Sequence, residues 1–168
     1  MNKERRVYML VKHNISPIYN EYSKILILGS MPSIVSRNEN FFYAHKQNRF
    51  WKILSMLFET NFYNKQDKIN FLLENNIAMY DVIKECNIKG SSDSSITNVK
   101  VNDIESIINN SNIEYVFCTG KTSYNLFQKY FSHLNIKFFL LPSPSSANAT
   151  YSLEKLINEY KIIKDILK

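Results

Sequence analysis

The run at residues 24–29, Lys-Ile-Leu-Ile-Leu-Gly, constrains the fold more than any other stretch. Four consecutive aliphatic residues closed by glycine leave no polar face, so the segment reads as a parallel strand buried on both sides. Three more runs share this character: residues 77–83, 114–118 and 136–141, the last stopped by Pro142 and Pro144. Between them, apolar residues recur at helical spacing. Phe50, Ile53, Leu54, Leu57 and Phe58 line one face, and a second helical stretch covers residues 65–74. Ile104, Ile107 and Ile108 mark a helix capped by Asn102 or Asp103; Tyr124, Phe127, Tyr130 and Phe131 mark the next. Leu153, Leu156, Ile157, Tyr160, Ile163 and Leu167 give a long final helix. Strands separated by helices predict an α/β fold: a three-layer α/β/α sandwich around a central four-stranded parallel sheet with right-handed crossovers. No repeat or Gly/Pro linker divides the chain, so one domain is expected over residues 1–168, with residues 1–23 as a peripheral arm or small added strand.

Composition removes several function classes. Hydrophobic residues at 45% and charged residues at 21% exclude wholesale disorder. No apolar run approaches the ~20 residues of a bilayer-spanning helix, and residues 7–11 are too short an apolar patch for a secretory signal. Two cysteines, Cys86 and Cys118, cannot supply a disulfide framework or a four-cysteine metal site, and His13, His45 and His133 are scattered. A reduced, cytoplasmic protein without metal is expected. Gly120-Lys121-Thr122 resembles the end of a phosphate-binding P-loop, but Tyr115 stands where that loop needs glycine. Three glycines form no G-x-G-x-x-G, and G-x-S-x-G is absent, so no nucleotide cofactor and no serine-hydrolase elbow are expected. The net charge of +6 and pI near 9.2 suit a polyanionic partner, although many Lys-, Asn- and Ile-rich chains are basic without one.

In an open parallel sheet, ligands bind outside the carboxyl ends of the strands. Those exits are residues 29–49, 81–95, 120–123 and 142–148, all rich in Ser, Asn, Gly, Lys or Pro. The least ordinary is Phe41-Phe42-Tyr43-Ala44-His45-Lys46-Gln47-Asn48-Arg49-Phe50-Trp51. Its aromatic faces can stack on a base, its amides can read a base edge, and its cations can meet phosphates. Duller roles exist for each: Asn48 as a helix N-cap, Phe50 and Trp51 as core, His45 as a structural hydrogen-bonding group.

The joint pattern of Gly29-Ser30-Met31-Pro32-Ser33 with residues 42–51 resembles the uracil-DNA glycosylase superfamily, most closely its hypoxanthine-DNA glycosylase branch. The likeness continues through Tyr80-Asp81-Val82-Ile83, residues 90–96 and Leu141-Pro142-Ser143-Pro144-Ser145-Ser146-Ala147-Asn148, in order across about residues 24–165. It implies a four-stranded parallel sheet between helix layers, and a DNA repair enzyme that hydrolyses the N-glycosidic bond of deaminated bases. Several positions depart from the family pattern. Met31 stands where mismatch-specific relatives carry a catalytic asparagine, and a thioether cannot aim a water. Lys46 replaces a usual proline. Leu141 and Ser145 stand where other uracil glycosylases have a histidine and an intercalating leucine. The resemblance to the hypoxanthine branch therefore points to Asn48 as the water-orienting residue.

What the resemblance implies is a monofunctional glycosylase acting on hypoxanthine, with uracil or xanthine as further substrates, in duplex or single-stranded DNA. It would act as a monomer, with no membrane partner and no cofactor. Asn48 and His45 are the expected catalytic residues, with His45 stabilising the leaving base. Gly29, Ser30, Met31 and Tyr43 are expected around the flipped base, Tyr43 as its stacking platform. Ser33, Lys46, Arg49, Ser143, Ser145 and Ser146 are expected to contact DNA; for the serines a structural turn is the competing role. Asp81 reads as a second water-orienting group or a loop cap. Two other functions compete: a non-catalytic nucleic-acid-binding module, and a small-nucleotide hydrolase or transferase using the same crevice.

Overall fold

A computed structural model describes residues 8–168. Its main sheet contains β2 (Ile25–Gly29), β3 (Ile77–Asp81), β6 (Tyr115–Thr119) and β7 (Lys137–Leu141), all parallel in the order β3-β2-β6-β7. Alternation along β2 divides the core between two faces. Ile25 and Ile27 face α2 (Phe50–Leu57), α3 (Lys65–Glu74) and α6 (Leu153–Leu167); the cluster includes Phe50, Leu54, Leu72, Leu156 and Tyr160. Leu26 and Leu28 face the other way, with Ile104 and Ile107 of α4 (Ile104–Asn109) and Phe127 and Phe131 of α5 (Lys121–Phe131). The three-layer α/β/α architecture and the four parallel strands agree with the sequence expectation.

A second sheet did not figure in that expectation as such. β1 (Met9–Lys12), β4 (Ile83–Ile88) and β5 (Thr97–Val101) pair antiparallel in the order β1-β4-β5. The apolar run 77–83 is therefore two strands. The break falls at Val82, whose N–H bonds Gly29 O at 2.9 Å, while Ile83 N–H bonds Ser30 O at 3.0 Å. The chain thus leaves the main sheet pinned to the end of β2. Residues 84–95, expected as a loop, supply most of β4. Within the expected arm, residues 1–7 lie outside the described residues; Met9–Lys12 form the added strand, Ile15 is buried in the core, and Ile18 bridges Met79.

His13 and Asn102 fasten the two sheets together. The His13 Nε2–H donates to Ile83 O at 2.7 Å and Nδ1 accepts from Ile15 N–H, which fixes the neutral tautomer. Asn102 donates to Asp81 O at 2.8 Å and accepts from the Tyr80 hydroxyl at 3.0 Å. Both residues are buried, and both act at the end of β3, where Asp81 begins the exit loop.

Candidate active site

The strand order reverses its direction of winding between β2 and β6: from β2 the chain proceeds to β3, and from β6 to β7. At such a switch point the outgoing loops diverge and leave a crevice beyond the carboxyl ends. Here that crevice has a volume of about 1000 Å³, with Gly29, Asp81, Thr119 and Leu141, the last residues of all four strands, in its floor.

Gly29 is required by close approach. A Cβ on it would stand 2.5 Å from Asp81 Oδ1 and 3.3 Å from the Tyr43 hydroxyl oxygen. Its absence leaves room for a carboxyl and a phenol beside the end of β2. Tyr43 reaches this point from a left-handed backbone conformation, φ 50°. One face of its ring stacks on Phe50, with centroids 4.1 Å apart and planes 17° from parallel. Its hydroxyl lies 2.6 Å from Thr119 Oγ1. Thr119 in turn donates to Leu28 O at 3.3 Å, so the tyrosine is the donor of that pair; Ser123 donates to the same carbonyl at 2.7 Å. Burial and then the neighbouring Asp81 carboxyl push the Tyr43 phenol far above its ordinary value, which keeps it neutral.

Asp81 is 5% exposed, and its Oδ2 is the only buried side-chain N or O atom without a partner among the described residues. No loop N–H donates to that oxygen, which gives it no role as a cap. Burial, and secondarily Asp93, push its acidity well up from the carboxylate range. Asp93 lies in a 3-10 turn (Asp93–Ser95), where its Oδ2 accepts the Ser30 hydroxyl at 2.7 Å. Desolvation raises its pKa, opposed by the Ser30 bond. Neither carboxyl forms an ion pair among the described residues.

The aromatic-amide segment enters from the opposite wall. Asn48 lines the crevice, half-buried, immediately before α2. Its Oδ1 accepts Phe50 N–H at 2.9 Å, so it also holds the start of that helix. The N-cap position of α2 is held by Arg49, so this bond is not the expected N-cap bond; it leaves a second lone pair and the amide NH2 of Asn48 for the crevice. His45 is exposed at the rim, with Nδ1 accepting Gln47 N–H at 3.1 Å. Trp51 belongs to the core: it donates to Phe42 O at 3.0 Å and stacks on Phe41.

Arg49 departs most from its expected place. Its guanidinium donates to the carbonyls of Pro144, Ser145, Asn148 and Tyr151, and its own N–H bonds Pro144 O at 3.0 Å. Every one of these contacts is to the chain itself, so Arg49 clamps the loop after β7 with four of its five guanidinium N–H groups. Tyr160 adds a second anchor, donating to Pro142 O at 2.7 Å. Within that loop Ser143 Oγ accepts Ser145 N–H and Ser145 Oγ accepts Ala147 N–H, so both serines build the turn, while Ser146 is exposed.

The structure brings Gly29, Ser30, Met31, Ser33, Tyr43, His45, Asn48, Ser143, Ser145 and Ser146 to one crevice; Lys46 is exposed on the neighbouring loop and outside its lining. Met31 is buried against Ile83, Cys86 and Ile88 and presents only an edge. Ser33 caps α1 (Ile34–Glu39) through Ser36 N–H. Sequence reasoning did not single out Asp93, Thr119 or Tyr160. Asp93 sits in a polar run with no periodicity, and Thr119 and Tyr160 are indistinguishable from strand-end and helix-core residues until the fold is known.

Fold and crevice together define a three-layer α/β protein with an open crevice at the sheet's switch point. The sequence matches the model of the Uracil DNA glycosylase superfamily over residues 16–166, and the chain belongs to that family. Two relatives bear the name Hypoxanthine DNA glycosylase. That of Methanosarcina barkeri is 30% identical over 115 residues, 67% of this chain and 73% of its own. That of Methanosarcina acetivorans is 26% identical over 145 residues, 85% of this chain and 92% of its own. A solution NMR structure from Methanosarcina acetivorans, of a protein provisionally named a uracil DNA glycosylase, shares the fold with a TM-score of 0.77. It is 24% identical and covers 93% of this chain and 99% of that one. Among the described residues no helix is long and apolar enough to cross a membrane.

Proposed function

We propose that this protein is a DNA glycosylase that hydrolyses the bond between deoxyribose and a deaminated base, hypoxanthine first and uracil or xanthine as further substrates. The observation that carries the reading is the convergence of Gly29, Tyr43 and Asn48 on one crevice, in a chain of the uracil DNA glycosylase superfamily. The names of the two relatives support hypoxanthine over the other bases.

The target base is taken out of the stack at a cost of about a few kcal/mol, least for a mispaired base. Tyr43, backed by Phe50, is the platform on which it rests, and the Ser30 backbone meets its carbonyls. Cleavage passes through an oxocarbenium-like sugar. A neutral amide is a poor base, so Asn48 orients the attacking water and leaves its proton in place until the C–N bond is largely broken. That order suits a base able to leave as an anion. Hypoxanthine, uracil and xanthine delocalise the charge onto ring carbonyls, which adenine and cytosine lack or must be protonated to match. His45 at the rim and the exposed Lys46 and Ser146 border the path of the DNA. Arg49 serves that path indirectly, by holding the loop that carries Ser143, Ser145 and Ser146. The protein acts as a monomer without a cofactor.

Duplexes carrying deoxyinosine, deoxyuridine, deoxyxanthosine or only normal bases, treated with protein and then alkali, test this reading. Scission only at the deaminated positions, deoxyinosine fastest, is the expected result. Binding without scission favours a non-catalytic module, and activity confined to free nucleotides favours a nucleotide hydrolase.

A further inference from the structure

We infer that Asp93 is a positioning residue that sets base specificity: by accepting the Ser30 O–H it makes Ser30 Oγ an acceptor toward the crevice, which selects bases whose ring edge carries an N–H. This rests on the glycosylase reading above and deepens it. The two residues come from different sheets. Ser30 follows β2 of the main sheet, and Asp93 lies in the 3-10 turn between β4 and β5 of the small one. Both line the crevice, and the Ser30 hydroxyl donates to Asp93 Oδ2 at 2.7 Å. Ser91 ties the same loop to α1, its Oγ accepting Ile34 N–H at 3.0 Å. The turn is thus held at two points beside the end of β2.

A hydroxyl has one proton and two lone pairs. The Ser30 proton is committed to a carboxyl oxygen, so a ligand atom that meets Ser30 Oγ must itself donate. The Tyr43 hydroxyl oxygen is 3.3 Å from where a Cβ on Gly29 would stand, so a base stacked on that ring lies beside residues 29 and 30. Hypoxanthine, uracil and xanthine all carry a carbonyl next to a ring N–H. Adenine and cytosine carry an amino group next to a bare ring nitrogen, whose lone pair would face that of Ser30 Oγ. Deamination of either converts the second pattern into the first, and an acceptor of fixed polarity reads the change at the exposed base edge. A freely rotating hydroxyl accepts from hypoxanthine N1–H and donates to adenine N1 alike; Asp93 removes that freedom. Guanine and thymine keep the ring N–H, so this contact separates hypoxanthine from adenine and uracil from cytosine, and leaves the other normal bases to the rest of the crevice.

Affinity for duplexes that bind without reacting decides the matter. Fluorine at the 2′ carbon disfavours the oxocarbenium-like sugar; duplexes carrying 2′-fluoro-deoxyinosine or 2′-fluoro-deoxyadenosine, each opposite an abasic analogue, therefore compare the two bases without cleavage. The wild type is expected to prefer the inosine duplex by about tenfold or more. Asp93→Ala weakens that complex, tightens the adenosine complex and lowers the ratio by about tenfold. Ser30→Ala removes the acceptor, keeps the loop tie at Ser91 and lowers the ratio as much; adding Asp93→Ala to it changes the ratio no further. Ser91→Ala loosens the loop alone and keeps the wild-type ratio. No preference in the wild type, an unchanged ratio in Asp93→Ala, a further fall in the double variant, or the same fall in Ser91→Ala overturns the inference while leaving the glycosylase reading intact. A wild-type protein that releases no base from an ordinary deoxyinosine duplex overturns both.

Discussion

Gly29 and Asp81 compete for one volume: a Cβ on the glycine would stand 2.5 Å from the Asp81 Oδ1. Gly29→Ala must therefore drive the carboxyl out of the crevice floor or spread the ends of β2 and β3. Overpacking of this kind costs about 1–3 kcal/mol, measurable by urea denaturation. A displaced floor also lowers base release by roughly a hundredfold, more than the lost stability alone accounts for.

Arg49 gathers four carbonyls of the loop after β7 around one guanidinium. Arg49→Ala is expected to destabilise the fold by about 2–3 kcal/mol and to expose residues 142–151 to protease. Arg49→Lys recovers only part of this, because an ammonium cannot span the positions a planar fork reaches. Equal protease resistance in Arg49→Ala would show that Tyr160 alone holds the loop.

Tyr43 separates stacking from hydrogen bonding. Tyr43→Phe keeps the ring on Phe50 and leaves Thr119 bonded to Leu28, so it should cost about 1 kcal/mol and retain most base release. Tyr43→Ala removes the platform and places alanine at φ 50°, with an expected loss of about 3 kcal/mol and of nearly all base release. Parallel losses in the two variants would remove the ring from the account.

His13 sets an acid limit on stability. Burial first, opposed by the bond to Ile83 O, lowers its pKa from 6.5. The unfolded chain takes up this proton before the folded one does. Its contribution is thus complete above pH 6.5 and is lost as pH falls below it, at a slope of up to about 1.4 kcal/mol per pH unit. Thermal midpoints between pH 7.5 and 5 should fall steeply in the wild type and less in His13→Gln. Parallel curves would show that His13 exerts no such control.

The main sheet was legible because burial on two faces writes an unbroken apolar run, as in Ile25–Gly29 and Tyr115–Thr119. The small sheet was not. β5 is Thr-Asn-Val-Lys-Val, mostly exposed, and its pairing with β4 is decided by contacts distant in the chain. In β4 only Cys86 and Ile88 are in step; Ile83 falls out of step across an irregularity in the pairing with β5, and the strand follows directly on the apolar β3 and merges with it. Within the crevice, Asn48 and Tyr43 stood out by residue type at a strand exit. The clamp made by Arg49 was not legible, since a guanidinium beside a Pro-Ser loop looks the same in sequence whether it faces phosphate or carbonyls. Asp81 showed only as an acid ending an apolar strand; the room for its carboxyl depends on Gly29, 52 positions away and visible only in three dimensions.

The central claim is that Asn48 aims the water that replaces the base. Single-turnover release from a deoxyinosine duplex by Asn48→Ala, with duplex affinity measured on the same preparation, tests it most directly. A fall in rate of about a hundredfold or more with affinity retained is the expected result. Release at the wild-type rate by a folded Asn48→Ala protein would contradict it.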